Sequence, residues 1–263
     1  MVPTPVQRET LRSRAAVEEA AALEAAYGGL APQQIVEAAV NQFWSGEIAA
    51  VSSFGADSAV LLHMIAQVDR TVPVIFLDTG KHFEETLDYR DQLIGDLGLE
   101  KLVVMHPLEA RLRADDPDGQ LHRRDADACC AIRKVEPMAR AIEPYRAWFT
   151  GRKRYQAASR ATLPAFEAVG PRVRVNPLAA WTGREIADYL STHGLRGNPL
   201  VAFGYRSIGC FPCTSPVQPT EDERSGRWAG QAKTECGIHL AGLENALGAR
   251  PPANANEAER SAA

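Results

Sequence analysis

Three apolar runs, Ile48-Ala49-Ala50-Val51, Val72 to Leu77 and Leu102-Val103-Val104-Met105, are separated from one another by stretches of helical period. Runs this short read as strands, the first of them buried. Strands alternating with helices are joined by right-handed crossovers. The pattern predicts an α/β fold, a mostly parallel sheet flanked by helices.

The intervening segments agree. Ala59 to Val68 has helical period, and Phe83, Leu87, Tyr89, Leu93 and Leu97 mark one face of an amphipathic helix. Upstream, residues 11–27 and 31–43 predict two leading helices. Downstream, Asp125 to Tyr145 has helical period and Ala147 to Phe149 reads as a further strand ending in Thr150-Gly151. Val173 and Val175 alternate with Arg172 and Arg174, as in a strand near an edge. Thr182 and Glu185 form a capping box that opens another helix.

This divides the chain into N-terminal helices (1–45), a nucleotide-binding α/β domain (46–195), a C-terminal segment (196–247) and a disordered tail (248–263). The third segment is rich in Gly, Pro, Arg and Cys and needs something other than a large core to order it, such as a metal centre. A chain of 263 residues with 45% hydrophobic content can bury a core without disulfides.

A net charge of -4 argues against wholesale nucleic-acid binding, which needs a clustered basic surplus. Met1 to Ala20 has no apolar stretch of signal-peptide type, and no run is long enough to span a bilayer. A cytoplasmic protein is expected, and there thiols stay reduced. The five cysteines fall into an adjacent pair, Cys129-Cys130, a spaced pair, Cys210-x-x-Cys213, and a singleton, Cys236. Four thiolates are the ligand count of a [4Fe-4S] cluster or a structural zinc, and an adjacent pair fits zinc poorly. Cys236 precedes His239 by three residues, which fits a reactive thiolate or a plain surface thiol.

Ser52-Ser53-Phe54-Gly55-Ala56-Asp57-Ser58 falls between a strand and a helix N-terminus, where small residues let backbone amides approach an anion. No Gly-Lys-Ser/Thr follows, so it is not a Walker loop. Asp78-Thr79-Gly80 follows the next strand and reads as a turn with a helix cap or as a wall of the same crevice. Arg133 and Lys134 follow the first cysteine pair, Arg152, Lys153, Arg154 and Arg160 follow Gly151, and Arg224 and Arg227 precede Cys236. Arginine forks suit phosphate and sulfate oxygens.

Taken together, the serine-rich loop, Leu77-Asp78-Thr79-Gly80, the two cysteine pairs, Ser207 to Thr214, Glu221 to Trp228 and Lys233-Thr234-Glu235-Cys236-Gly237-Ile238-His239 resemble, in order, the assimilatory adenylyl-sulfate reductases of the phosphoadenylyl-sulfate reductase family. The resemblance implies an adenine-nucleotide α-hydrolase-like fold with a modified PP-loop. Relatives that use ATP carry Ser-Gly-Gly-x-Asp-Ser, which Ser53 and Phe54 interrupt here. It implies that Cys129, Cys130, Cys210 and Cys213 hold a [4Fe-4S] cluster, with Lys134 between cluster and substrate. It also implies that Arg160, Arg224 and Arg227 hold the phosphosulfate. Ser52, Ser53 and Leu77 to Gly80 would hold the nucleotide, with Gly55, Asp57, Ser58, Gly151 and His239 completing the site. Tyr155 and Ala157 depart from the family's Arg-Arg-Asp-Gln block, so Arg152 and Lys153 receive no individual role.

The implied reaction is attack of the Cys236 thiolate on the sulfur of adenylyl sulfate, followed by release of sulfite to an external dithiol, thioredoxin or glutaredoxin. No nucleic acid or membrane partner is expected, and a homo-oligomer is compatible with the sequence. The rival readings are reduction of 3′-phosphoadenylyl sulfate, an ATP-dependent tRNA-thiolating ligase and a zinc-stabilised nucleotide-binding module.

Overall fold

A computed structural model describes residues 4–218, 220–229, 233, 235–239 and 243. The tail expected from residue 248, and Thr234 beside the singleton cysteine, lie outside the described residues.

The chain opens with α1 (Pro5–Tyr27), capped by Thr4, and α2 (Pro32–Ala38), which runs on through a π-turn at Ala39–Phe43. Then come β1 (Ile48–Val51), α3 (Ser58–Val68), β2 (Val74–Leu77), α4 (Glu84–Leu97) and β3 (Leu102–Met105). The short helices α5 (Glu109–Asp115), α6 (Leu121–Arg124) and α7 (Ala126–Cys130) follow, and a π-turn at Ala131–Val135 leads into α8 (Glu136–Ile142). β4 (Ala147–Phe149), β5 (Phe166–Val169), β6 (Arg172–Val175) and α9 (Gly183–Thr192) complete the regular elements before a series of single 3₁₀ turns.

The sheet has six strands in the order β3-β2-β1-β4-β6-β5, parallel except for the antiparallel β5–β6 pair. β3 and β5 are the two edges and β6 lies next to β5, in keeping with the expectation that Val173 and Val175 lie near an edge. The sequence of β5, Phe-Glu-Ala-Val, is too short and mixed to stand out by period, which hid this edge strand.

Alternation distributes the two faces of the sheet. Ile48, Ala50, Val74, Phe76, Ala147 and Phe149 bury against α2, α3 and α4, with Trp44 and Leu62 in the same core. Ala49, Ile75, Leu77 and Trp148 bury on the other face against Met138, Ala141 and Ile142 of α8. Each side chain of this size contributes roughly 1.5–3 kcal/mol on burial. The chain leaves β1 toward β2 on one side and returns through β4 on the other, so the crevice at the carboxyl ends of β1 and β4 is the sheet's switch point.

Candidate active site

A cleft of ≈ 220 Å³ opens at that switch point. Ser52, Ser53, Gly55, Asp57 and Ser58 from the β1–α3 loop form one wall, and Gly151, Arg152, Lys153 and Arg160 after β4 form another. Arg224, Arg227, Glu235, Cys236 and His239 close it from the C-terminal segment, while Leu77 and Lys134 lie on its floor.

The β1–α3 loop is shaped by Phe54. Its φ of 49° is left-handed, its N–H donates to Ser52 Oγ (3.1 Å), and its wholly buried ring packs edge-on against Phe76 at 5.6 Å. A non-glycine residue in this conformation stores strain, which burial of the ring offsets. Asn198 Nδ2 donates to Phe54 O (2.9 Å) and fixes the loop from behind. The loop carboxylate Asp57 pairs with buried Lys153, Nζ to Oδ2 2.8 Å, tying the two walls together.

Asp78, Thr79 and Gly80 do not line this cleft. Asp78 Oδ1 accepts the Gly80 N–H, and Thr79 turns away toward the cysteines, with Oγ1 3.3 Å from Cys210 Sγ. Of that strand end only Leu77 reaches the cleft floor.

Cys129, Cys130, Cys210 and Cys213 line one small cavity beside the cleft, together with Lys134 and Trp228. The first pair ends α7, whose N-cap Asp125 accepts from the N–H groups of Asp127 and Ala128. The second pair brackets a 3₁₀ turn in which Cys213 N–H donates to Cys210 O (3.0 Å). Phe211 N–H donates to Lys81 O (2.7 Å), and Thr214 bridges to Arg227, docking this turn against the sheet and the arginine segment.

All four thiols are free, and no three His, Cys, Asp or Glu side chains among the described residues converge as ligands of one ion. They surround a shared space instead. A set of four unpaired thiols around one cavity fits a polynuclear cluster by its donor chemistry. Burial pushes the Cys129 and Cys213 thiols up in pKa, so without a cation there the charged ligand form is disfavoured.

Arg133 and Lys134 occupy the π-turn between the cysteine pair and α8. Arg133 points back: its guanidinium pairs with buried Asp116 and donates to Thr79 O (2.7 Å). Lys134 points to the boundary of the two cavities. Burial pushes its pKa down, but negative charge on the sulfurs of Cys210, Cys236 and Cys130 outweighs this and raises it, so it stays charged.

Cys236 is 8% exposed and packs against Cys130 and Trp228. Its thiol is held well below its ordinary pKa by a hydrogen bond from Cys130, then by Lys134, the Ile238 N–H and Arg227, against the opposing effect of burial. Gly237 comes so close to the π-turn that an added Cβ would stand 2.9 Å from Val135 Cγ2.

Four arginines, Arg152, Arg160, Arg174 and Arg224, surround His239, whose Nδ1 is buried without a partner among the described residues. Burial first, and then those guanidiniums, hold the His239 imidazole well below its ordinary pKa and therefore neutral. Burial and the neighbouring Arg174 and Arg160 push Arg152 down to about 8. Glu167 of β5 pairs with Arg152 and Arg174, and Asn176 Oδ1 accepts from Thr150 Oγ1 (2.6 Å). Asp116, Glu167 and Asn176 carried no sequence signal, because single polar residues outside a motif do not announce the cations they meet.

Known proteins resemble this chain in sequence and in fold. Residues 47–216 match the phosphoadenosine phosphosulfate reductase domain. An adenosine 5′-phosphosulfate reductase of Mesorhizobium japonicum is 66% identical over 87% of this chain and 90% of its own length. One from Chelativorans sp. is 68% identical over 86% of this chain and 93% of its own. The crystal structure of phosphoadenylyl-sulfate reductase from Candida auris superposes with a TM-score of 0.63 at 28% identity, covering 76% of this chain and 97% of that one. By its domain, its relatives and its fold, the chain belongs to the phosphoadenosine phosphosulfate reductase family.

Proposed function

We propose that this protein reduces adenosine 5′-phosphosulfate to sulfite and AMP in sulfate assimilation, with Cys236 as nucleophile. The observation that carries this reading is the meeting of Cys236 with Arg160, Arg224 and Arg227 in one cleft at the sheet's switch point. The relatives named adenosine 5′-phosphosulfate reductase support the choice of substrate.

The Cys236 sulfur attacks the sulfur of the substrate's sulfate, and the S–O bond to the phosphate breaks. AMP departs with that electron pair and the cysteine becomes an S-sulfocysteine. Guanidiniums fixed around the phosphate stabilise the charge that develops on the leaving group, and fixed donors of this kind need no reorganisation at the moment of reaction. A dithiol such as thioredoxin then attacks the Cys236 sulfur, releases sulfite and closes its own disulfide. Asp57, Ser52, Ser53, Gly55, Ser58 and Gly151 border the space for the nucleotide.

Cys129, Cys130, Cys210 and Cys213 would hold a [4Fe-4S] cluster, supplying a structural anchor and a local charge beside Lys134. With the cluster's thiols committed, Cys236 has no resolving cysteine, which is why the reductant is external and the reduced thiols suit a cytoplasmic setting. Among the described residues no helix is long and apolar enough to cross a membrane.

The test is turnover of anaerobically purified protein with thioredoxin and either adenosine 5′-phosphosulfate or its 3′-phosphorylated form. One sulfite and one AMP per substrate, with preference for the first substrate, is the expected result. Preference for the 3′-phosphorylated substrate would replace the assignment with the second member of the family's chemistry.

A further inference from the structure

The carboxylate of Glu235, the residue before the nucleophile, sits inside the arginine cradle. Arg160 Nε and Nη2 approach Glu235 Oε2 at 2.8 and 2.6 Å, Arg224 Nη2 lies 3.1 Å from Oε1, and the Cys236 N–H donates to the same Oε1 at 2.9 Å. The side chains of Glu235 and Arg160 are each only 6% exposed, so this is a buried, charge-assisted contact. Two guanidinium forks and a backbone N–H converging on two oxygens are also what a phosphate or sulfate group requires. The same donors cannot serve the carboxylate and an incoming anion together.

We propose that Glu235 is a positioning residue that holds Arg160, Arg224 and the backbone of Cys236 in one closed arrangement until the anion of the substrate displaces its carboxylate. The inference rests on the reading that these arginines receive the phosphosulfate. The exchange is charge for charge: the arginines lose one anion and gain another, so neither state leaves buried guanidiniums without a counter-charge. Because Oε1 also holds the Cys236 N–H, loss of the carboxylate contact releases the nucleophile's backbone. In the closed arrangement Cys236 is buried against Cys130 and Trp228, shielded from oxidants. Occupancy of the anion site thus unlocks the thiol that the anion is to meet.

The test uses the holoenzyme, purified without oxygen, with AMP as an unreactive ligand and iodoacetamide as the probe of Cys236. Glu235→Gln removes the internal competitor and raises the fraction of enzyme ready to bind, so AMP binds about 10-fold tighter. Glu235→Asp keeps the charge and stays near wild type. In wild-type protein AMP accelerates alkylation of Cys236, and in Glu235→Gln alkylation is fast without it. Should Glu235→Gln not fold, the wild-type alkylation decides alone: no acceleration by AMP overturns the proposal. Equal or weaker AMP binding by a folded Glu235→Gln, with binding still weakened by Arg160→Ala, also overturns it. If Arg160→Ala leaves AMP binding unchanged, the cradle assignment itself fails.

Discussion

Arg133 Nη2 lies 2.6 Å from Asp116 Oδ2, and the Asp116 side chain is fully buried. From the same guanidinium, Nη1 reaches Thr79 O, the backbone of the residue whose hydroxyl lies beside Cys210. One side chain therefore brackets the π-turn after Cys129-Cys130 to the strand end that meets the other cysteine pair.

Breaking this bracket from one side leaves a buried, uncompensated charge. Asp116→Ala is expected to cost about 3–5 kcal/mol, while replacing both partners, Asp116→Leu with Arg133→Met, costs much less. Urea unfolding of these two variants beside wild type measures this. Equal losses for the single and double replacements would show that the pair is not the bracket.

Gly226 faces the backbone across the Thr214–Arg227 bridge, where Ser215 N–H donates to Gly226 O (2.9 Å). An added Cβ would collide with Ser215 O, which cannot move without opening the bridge. Gly226→Ala is expected to lose iron and activity while the far-ultraviolet circular dichroism of the sheet domain persists. Iron content near wild type would contradict this.

His239 gives stability a defined pH dependence. Its pKa is depressed in the folded chain by burial and by Arg152, Arg160, Arg174 and Arg224, so only the unfolded chain takes up its proton near the ordinary value of 6.5. The contribution is complete above pH 6.5 and is lost as pH falls, by at most about 1.4 kcal/mol per pH unit for one proton. His82 and His122, also lowered first by burial, act with the same sign. The comparison is thus between wild type and His239→Asn: urea midpoints from pH 8 to 5.5 are expected to fall less steeply in the variant.

Removing the iron anaerobically tests the ordering of the segment that carries Cys210 and Cys213. Its turn is short, and Phe211 is 64% exposed, so little apolar burial holds it. Limited proteolysis of iron-free protein is expected to cut between residues 204 and 218 while 48–175 stays intact. Protection equal to that of the holoenzyme would show that the hydrogen bonds to Lys81 and Thr214 suffice.

The strands Ile48–Val51 and Ala147–Phe149 were legible because buried parallel strands are continuous apolar runs, the half-buried edge strand Leu102–Met105 because it too is an unbroken apolar run, and α9 because Thr182 and Glu185 announce its cap. β5 was not, since a four-residue edge strand with Glu167 inside it has no period to read. In the site, motif residues such as Ser52, Arg160 and Cys236 were readable as a family pattern. Their partners were not: Asp116 for Arg133, Glu167 for Arg152 and Asp57 for Lys153 are pairings made by the fold. Asp78-Thr79-Gly80 marks the limit of reading by strand end, because adjacent residues there face different cavities.

The most direct test of Cys236 as nucleophile is intact mass spectrometry of the anaerobic holoenzyme mixed with adenosine 5′-phosphosulfate and no reductant. A single sulfonate adduct on Cys236, removed by thioredoxin and absent from Cys236→Ser, is expected. An unmodified chain despite an intact cluster and release of AMP, or an adduct that persists in Cys236→Ser, would contradict that role.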